Sequence, residues 1–243
     1  MKQVDIGLLG AHFRKRFLEI IMSEPTNCKK LFDKECEYYS SDRSDIFPFV
    51  PQNIKKTLEF GCGQGNFSVL LKKQYSVEAW AVELHEESAQ LAAQKLDRVL
   101  CMDAMRSLES LPDGYFDCIF FLDLLEHLAD PYSLLDKCRD KLSEKGVVIA
   151  SIPNIRYYRV FSDYVFHGRW EYRRHGIMDI GHLRFFTYHS IKKMFQTIGY
   201  SMRTLQGVHP TSSKTYFLLN ALFLNRLWDL KYKHFIVVAE KGN

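Results

Sequence analysis

The sequence predicts an α/β fold in which helices cover both faces of a doubly wound, mostly parallel sheet. Three observations predict it. From residue 56 onward, short apolar runs of strand length alternate with segments of helical spacing. The first apolar run, 57–60, leads through a glycine-rich turn directly into a helix. The chain has 243 residues, of which 47% are hydrophobic, which suits one full core and is short for two.

The central strands and helices follow one another in the order that such a sheet requires. Strands are expected at 57–60, 77–82, 98–101, 115–122 and 147–152. Helices are expected between them at 66–74, 86–95 and 130–142. The turn Pro112-Asp113-Gly114 introduces the fourth strand. The last helix begins where Asp130 can act as N-cap and Pro131 fits the first helical position.

The flanking segments complete the predicted organisation. Residues 1–50 are mainly helical by spacing and are expected to form an N-terminal lid, which ends at a break near Pro48 and Pro51. Residues 51–243 form the main domain. Within it, 153–189 is rich in Arg and aromatic residues and is expected to be an insertion over the carboxyl edge of the sheet. A helix at 190–198 and two strands at 200–206 and 234–239 bring the strand count to seven.

Composition sets only broad limits on function. The net charge of +4 neither requires a nucleic-acid partner nor excludes an anionic substrate. Six cysteines without paired spacing indicate a reducing, cytoplasmic setting. No signal-peptide pattern is present at the amino terminus, and no apolar run is long enough to span a bilayer, so no stable membrane insertion is expected.

Polar residues and glycines stand where the predicted strands end, which is where open α/β sheets bind ligands. The first strand runs into Gly61-Cys62-Gly63-Gln64-Gly65, whose glycines allow a sharp turn close to a ligand. Glu83 ends the second strand, where a carboxylate can accept both hydroxyls of a ribose. Asp103, after the third strand, could accept from an adenine amino group. Together these positions predict a nucleoside-binding site.

A dinucleotide oxidoreductase is the competing interpretation of the glycine turn. Its fingerprint, G-x-G-x-x-G, places a glycine three residues after the second glycine, whereas Asn66 occupies that position here. If the turn were purely structural, the glycine loop, Glu83 and the later carboxylates would all stand at strand ends by chance.

The stretches L-E-F-G-C-G-Q-G, A-V-E-L, F-F-L-D-L-L-E-H-L-A-D-P and G-V-V-I-A-S-I-P-N resemble the successive motifs of class I S-adenosylmethionine-dependent methyltransferases. They are most similar to the branch that includes ubiquinone-pathway O-methyltransferases. The later segment G-R-W-E-Y-R-R-H-G-I-M-D-I-G-H-L-R-F-F-T is similar to methyltransferases found with bacterial surface-polysaccharide and O-antigen enzymes. The resemblance implies a Rossmann-like fold with a seven-stranded sheet whose last strand is antiparallel.

The resemblance also implies the residues that hold S-adenosylmethionine. The glycine loop would line its methionine part, Glu83 would hold the ribose, and Asp103 with Ala104 would contact the adenine. The full predicted cofactor set is Glu59, Phe60, Gly61, Cys62, Gly63, Gly65, Glu83, Leu84, Asp103, Ala104 and Leu122.

A second group of candidate residues follows the fourth strand. Spacings of three and four place Asp123, Glu126 and His127 on one side of a helical turn. With the distant His182, this pattern resembles the metal site of small-RNA terminal 2′-O-methyltransferases. It predicts a divalent cation, with Mg²⁺, Mn²⁺ and Fe²⁺ equally compatible. Two alternatives stay open: His127 acts as a metal-free catalytic base, or these residues are structural.

The acceptor is expected to meet the basic aromatic segment between 156 and 174. Arginines there suit a phosphate or carboxylate, and aromatic faces suit a sugar or base. Tyr38, Tyr39 and Arg43 are expected to form a second part of the lid. The leading hypothesis is an O-methyltransferase acting on a hydroxyl of a glycan or sugar-nucleotide intermediate. The alternatives are an RNA ribose 2′-O-methyltransferase, a quinone-precursor O-methyltransferase and a catalytically silent cofactor-binding module.

Overall fold

The computed structural model describes residues 43–242, and these contain a seven-stranded sheet in the order β3-β2-β1-β4-β5-β7-β6. The strands are β1 (Lys56–Phe60), β2 (Glu78–Glu83), β3 (Arg98–Cys101), β4 (Phe116–Leu122), β5 (Leu142–Pro153), β6 (Tyr200–Pro210) and β7 (Tyr232–Lys241). Strands β1 to β5 are parallel to one another, and β7 runs antiparallel between β5 and β6. The predicted fold class, including the antiparallel last strand, is confirmed.

The helices lie between the strands as expected. They are α1 (Asn66–Tyr75), α2 (Glu86–Ala93), α3 (Ala104–Ser107), α4 (Pro131–Lys141), α5 (Tyr158–His167), α6 (Tyr188–Ile198) and α7 (Lys214–Leu222). Short 3₁₀ turns occupy Ser44–Phe49, Leu108–Ser110, Leu125–His127 and Trp228–Lys231. The start of α4 is as predicted, because the Asp130 carboxylate accepts from the Ser133 backbone N–H at 3.1 Å with Pro131 at the first helical position.

Buried side chains form one apolar layer on each face of the sheet. In β4, Ile119 and Phe121 belong to one layer, whereas Cys118 and Phe120 belong to the other. Successive residues of a strand point to opposite faces, so a strand covered by helices on both sides is apolar throughout. The alternation explains why β4 is an almost continuous apolar run.

The strand order places the carboxyl ends of β1 and β4 at the point where the sheet changes direction. From β1 the chain winds outward to β2 and β3, and then it returns to β4 on the other side of β1. The crossover helices therefore leave in opposite directions and open a crevice there. Phe60 pairs with Phe121, so the glycine turn after β1 and Asp123 after β4 lie at the same edge.

Several elements differ from the sequence prediction. Strand β5 begins at Leu142 rather than at 147, and α5 and α7 are helices that the periodicity did not reveal. No residue of α5 is buried. Residues 1–42 lie outside the described part, so the N-terminal lid, with Tyr38 and Tyr39, stays a prediction. Among the described residues, no helix is long and apolar enough to cross a membrane.

Replacing Phe121 by alanine is expected to lower the free energy of unfolding by about 3–5 kcal/mol, because the removed ring leaves a cavity in the core. The Phe121 side chain is fully buried, and its ring stacks on that of Phe60 with centroids 5.1 Å apart. Urea denaturation measures the change. The control is Phe166→Ala, because Phe166 is 60% exposed and its loss should change stability by about 0.5 kcal/mol or less. Equal effects of both substitutions would contradict this view of the core.

Candidate functional site

The turn after β1 is built from glycines in the left-handed backbone region. Gly61, Gly63 and Gly65 have φ values of 73°, 54° and 78°. A Cβ on Gly65 would lie 3.1 Å from Leu96 Cδ1 and 3.2 Å from Ala92 Cβ, so a larger residue is both strained and crowded there. The turn leads directly into α1 and holds the helix N-terminus at the edge of the sheet.

Glu83 ties this turn to the end of β2. One carboxylate oxygen accepts from the Gly63 backbone N–H and the other from the His85 N–H, each at 2.8 Å. The side chain is only 7% exposed. Each carboxylate oxygen has two lone pairs, so both can still accept from a pair of ligand hydroxyls. Glu83 is therefore oriented before any ligand binds.

Glu59 lies beneath the same turn with little compensation for its charge. Its carboxylate accepts from the Ser68 hydroxyl at 2.5 Å, and the residue is 4% exposed. Burial raises the pKa of Glu59 to about 7, and the nearby Glu83 acts in the same direction. Burial also raises the pKa of the adjacent Cys62 thiol. A buried carboxyl of this kind suits a ligand that brings a positive charge.

The remaining predicted cofactor residues differ in how far their side chains are exposed to solvent. Leu84 is 70% exposed, whereas Leu122 and Cys62 are buried at the crevice edge. Phe60 is fully buried against Phe121, so only its backbone can face a ligand. Asp103 lies on the surface and forms the N-cap of α3, where Oδ1 accepts from the Met105 N–H at 2.9 Å and from the Arg106 N–H at 3.1 Å. Ala104 follows it as the first residue of α3.

Asp123 does not lie with the other predicted metal ligands. Its Oδ2 accepts from Arg43 Nη1 at 2.6 Å, and its Oδ1 accepts from the Ser151 hydroxyl at 3.0 Å. Asp123 has a φ of 55°, so the chain turns sharply before the 3₁₀ turn Leu125–His127. The expected helical turn with Asp123, Glu126 and His127 on one side is therefore wrong.

Arg43 and His234 complete the surroundings of Asp123. Burial alone would lower the pKa of Arg43, but Asp123 and Asp45 together raise it above its ordinary value. Burial lowers the pKa of His234 to about 4, although its Nε2 lies 3.7 Å from Asp123 Oδ1. His234 is therefore neutral near pH 7, and the Arg43 guanidinium is the group that balances Asp123.

Glu126, His127 and His182 come together at the same edge of the sheet. Each offers one possible ligand atom, and these atoms all lie within 4.8 Å of one another. The two imidazole rings are 4.7 Å apart, and His182 Nε2 is 3.9 Å from Glu126 Oε1. That separation is too long for a hydrogen bond. It is compatible with two ligands that each lie about 2.0–2.2 Å from one cation.

Backbone carbonyls set the protonation of both imidazoles. The Gly181 carbonyl oxygen lies 2.9 Å from His127 Nδ1, and the Ile177 carbonyl oxygen lies 2.9 Å from His182 Nδ1. A carbonyl only accepts, so each Nδ1 carries the hydrogen and each Nε2 keeps its lone pair. Metal-ligating histidines are commonly held in this way. The same tautomer would also allow Nε2 of His127 to act as a base.

The 153–189 insertion provides His182 and these carbonyls. The Leu183 and Arg184 backbone N–H groups donate to the Glu126 carbonyl at 2.8 and 3.0 Å. A Cβ on Gly181 would lie 3.2 Å from His127 Nδ1, so glycine permits the close approach. The insertion thus closes over the segment that follows β4.

The insertion also forms a polar cavity of about 430 Å³. Its lining includes Ile177, whose carbonyl accepts from His182, so the cavity and the histidine cluster share one loop. Six charged side chains line it: Arg159, Asp163, Arg169, Glu171, Arg173 and Lys233. Asp163 pairs with Arg169 at 3.1 Å and lies 3.7 Å from Arg173. The remaining lining charge is net positive.

Sequence reasoning missed the residues that support the site. Ser68 contacts Glu59, Ser151 and His234 contact Asp123, and the Gly181 carbonyl contacts His127. Ser151 could have been noticed as the polar residue within the apolar run of β5. The contacts of the other residues depend on tertiary structure and leave no pattern along the chain.

Comparison with known proteins places the chain among methyltransferases. The sequence model of a family described as "Methyltransferase domain" matches residues 12–205. A ubiquinone biosynthesis O-methyltransferase of Psychrobacter arcticus is 24% identical over 207 residues, which cover 79% of this chain and 76% of that protein. A norajmaline N-methyltransferase of Rauvolfia serpentina is 26% identical over 51% of this chain and 44% of its own length.

Solved structures share the fold. A SAM-dependent methyltransferase from Archaeoglobus fulgidus superimposes with a TM-score of 0.59 at 21% identity, covering 86% of this chain and 96% of its own. A possible histamine N-methyltransferase from Thermotoga maritima has a TM-score of 0.59 at 18% identity, over 84% of this chain and 89% of its own. At these identities the likeness concerns architecture.

Glu59 is expected to make the ligand-free protein less stable as the pH rises. The pKa of Glu59 is about 7 in the folded state, whereas its ordinary value is 4.5. Between these two pH values the folded protein keeps a proton on Glu59 that the unfolded chain has released. Stability contributed by that proton is present at low pH and is lost as the pH rises through about 7. The loss is on the order of 3 kcal/mol.

Urea denaturation of the wild type and Glu59→Gln at about pH 5 and about pH 8 measures this contribution. The difference between the two pH values should be smaller in the variant. Glu109→Gln is the control, because Glu109 is exposed and its substitution should leave the pH dependence unchanged. An unaltered pH dependence in Glu59→Gln would show that the carboxyl titrates in its ordinary range.

Proposed function

Because this chain belongs to the class I S-adenosylmethionine-dependent methyltransferases, we propose that it transfers the methyl group to a hydroxyl of a saccharide or sugar-nucleotide acceptor. We further propose that Glu126, His127 and His182 hold a divalent cation beside that hydroxyl. The observation that carries the proposal is the convergence of one buried carboxylate and two histidines next to the donor loop.

The donor end of the crevice suits a cationic nucleoside. Glu83 presents two oriented carboxylate oxygens to the ribose hydroxyls. Glu59 lies below the glycine turn, where the methionine ammonium group can offset its buried charge. Asp103 stands at the far strand end, where Oδ2 can accept from an adenine amino group while Oδ1 caps α3. Leu84 and Leu122 provide apolar contact at the crevice edge.

The acceptor hydroxyl requires help to lose its proton, since an alcohol is a weak nucleophile near neutral pH. A divalent cation bound here would supply Lewis acidity and orient the hydroxyl. The Ile177 and Gly181 carbonyls keep both imidazoles in the tautomer that presents Nε2. In the transfer, the acceptor oxygen forms a bond to the methyl carbon, the carbon–sulfur bond breaks, and the hydroxyl proton leaves to solvent or a base.

His127 is the residue for which metal binding and base catalysis are alternatives. A lone pair on Nε2 that binds a cation cannot at the same time accept the acceptor proton. His182 Nε2 lies 3.9 Å from Glu126 Oε1, and this short separation favours metal binding over base catalysis by His127. A metal-free His127 would need a hydroxyl within hydrogen-bond reach and would gain little from the second histidine.

The cavity in the insertion favours a polar acceptor. Arg159 and Lys233 line it and form no salt bridge within residues 43–242. Guanidinium and ammonium groups suit a phosphate or carboxylate of a sugar nucleotide. A prenylated quinone precursor would instead require an apolar channel. A phenolic acceptor is nevertheless the second candidate, because several relatives are ubiquinone biosynthesis O-methyltransferases.

The metal proposal predicts that Glu126→Gln and His182→Ala each weaken binding of Mn²⁺ or Fe²⁺ by at least about 100-fold, because each removes one ligand. Isothermal titration with the metal alone measures the affinity, and chelation by EDTA should abolish transfer. His167→Ala is the control, since the His167 side chain is 53% exposed. Wild-type protein that binds neither metal, with transfer unchanged in EDTA, would leave His127 as the base.

The acceptor proposal predicts methyl incorporation into sugar nucleotides when the protein is supplied with isotopically labelled S-adenosylmethionine. Mass spectrometry identifies the product and the labelled atom. Arg159→Gln should raise the KM for the acceptor about tenfold or more with little change in kcat, because it removes a charge-assisted hydrogen bond. Labelling of catechols in place of sugar nucleotides would favour the phenolic acceptor.

A further inference from the structure

The connection between β6 and β7, residues 211–231, exposes a cluster of large apolar side chains. It contains α7 and the 3₁₀ turn Trp228–Lys231. Six side chains in this connection are each at least 42% exposed: Phe217, Leu218, Leu222, Phe223, Leu224 and Trp228. Isolated apolar residues are ordinary on a protein surface, but six exposed ones within one short connection indicate an interaction site.

A specific turn holds the most exposed of these residues. Leu224 is 80% exposed and has a φ of 52°, and Asn225 follows with a φ of 61°. A leucine in the left-handed region is uncommon and requires support from its surroundings. Asn220 provides it: its carbonyl accepts from the Asn225 N–H at 2.8 Å, and its side-chain oxygen accepts from the Leu227 N–H at 3.0 Å. Phe223 and Leu224 therefore form a fixed apolar tip.

The exposed charged side chains near this tip in the sequence are basic. Between residues 211 and 233 the basic side chains are Lys214, Arg226, Lys231 and Lys233. The acidic side chain in this range is Asp229, which is 3% exposed and pairs with Arg156 at 3.1 Å. The outward-facing charge of the connection is therefore entirely cationic.

We propose that the β6–β7 connection docks this protein on an anionic lipid surface, with Phe223 and Leu224 inserted between the headgroups. A connection that combines an exposed apolar tip with cations and a tryptophan suits the membrane interface. The cations would lie against lipid phosphates, each strengthening attachment at low salt. The attachment is peripheral, because no helix in the described part could cross a bilayer.

Charge argues for lipid over a second copy of this chain. Two copies meeting through the same surface would bring their basic residues together without acidic partners. An anionic headgroup layer matches both the charge and the apolar tip.

Docking would also bring the polar cavity close to the membrane. The connection contacts the 153–189 insertion through the rings of Tyr216 and Tyr158, whose centroids are 6.0 Å apart, and through the Asp229–Arg156 pair. Lys233 belongs to the cation set and also lines the cavity. The docking proposal does not depend on the identity of the acceptor.

Co-sedimentation of the full chain with lipid vesicles tests the proposal. Vesicles of phosphatidylcholine with phosphatidylglycerol should bind the protein, and vesicles of phosphatidylcholine alone should bind it weakly. The double substitution Phe223→Ser with Leu224→Ser should weaken binding at least about tenfold, since it removes the inserted apolar area. Lys214→Gln and Arg226→Gln should each weaken binding about fivefold.

Leu91→Ser is the matched control, because Leu91 is an exposed leucine on α2 and its substitution should leave vesicle binding unchanged. Circular dichroism and S-adenosylmethionine binding verify that each variant is folded. If the double variant at Phe223 and Leu224 does not fold, the two charge variants test the proposal. Absence of wild-type binding to anionic vesicles would overturn the proposal. Equal vesicle binding by all variants would also overturn it. So would a wild-type dimer that the tip substitutions dissociate, if the wild type does not bind vesicles.

Discussion

The parallel pairing of β1 with β4 is the constraint on which the whole site depends. The sheet changes direction between these strands, so no crossover helix covers their carboxyl ends. Pairing of Phe60 with Phe121 places the glycine turn and the 123–127 segment at one height. The stacked rings of these two residues lie buried below. A slip of one residue would send each strand's side chains to the wrong face, so packing of the core also sets the geometry of the crevice.

The carboxylates around the crevice differ in how their charge is balanced. Glu83 accepts two backbone N–H groups, and Asp123 pairs with a guanidinium. Glu59 accepts a hydrogen bond from the Ser68 hydroxyl and has a raised pKa, and Glu126 lies close to two histidines. Burial of an ionised group is costly unless an opposite charge or several hydrogen bonds accompany it. A positively charged ligand near Glu59 would therefore offset the cost of burying its carboxylate.

Sequence patterns were sufficient for most individual strands and for the glycine turn because both are local, whereas the antiparallel last strand was implied by the family resemblance. Strand β3 was predicted to its exact bounds, and the N-cap at Asp130 is where the pattern placed it. Helices α5 and α7 were not predicted. They bury few residues, none in α5 and Tyr216 alone in α7, and the helical period of apolar residues is weak in α7. Asp123 was misplaced because a single left-handed residue ends the helical turn, and sequence spacing assumes that the turn continues.

The left-handed backbone at Asp123 gives the short segment after β4 two separate attachments. The Asp123 side chain turns toward Arg43, which precedes the 3₁₀ turn Ser44–Phe49, and toward Ser151 at the end of β5. Beyond the turn, the Glu126 carbonyl binds the insertion through Leu183 and Arg184. Had the helical turn continued, Asp123 and Glu126 would lie on one side and compete for the same partners. Because the two residues are separated, Asp123 binds the chain before β1 and Glu126 binds the insertion after β5 through different contacts. The glycine loop is tied to β2 through Glu83, and it also approaches the segment after β4, because a Cβ on Gly61 would lie 3.1 Å from Leu124 Cδ1. The segment after β4 therefore connects the glycine loop, the chain before β1 and the insertion.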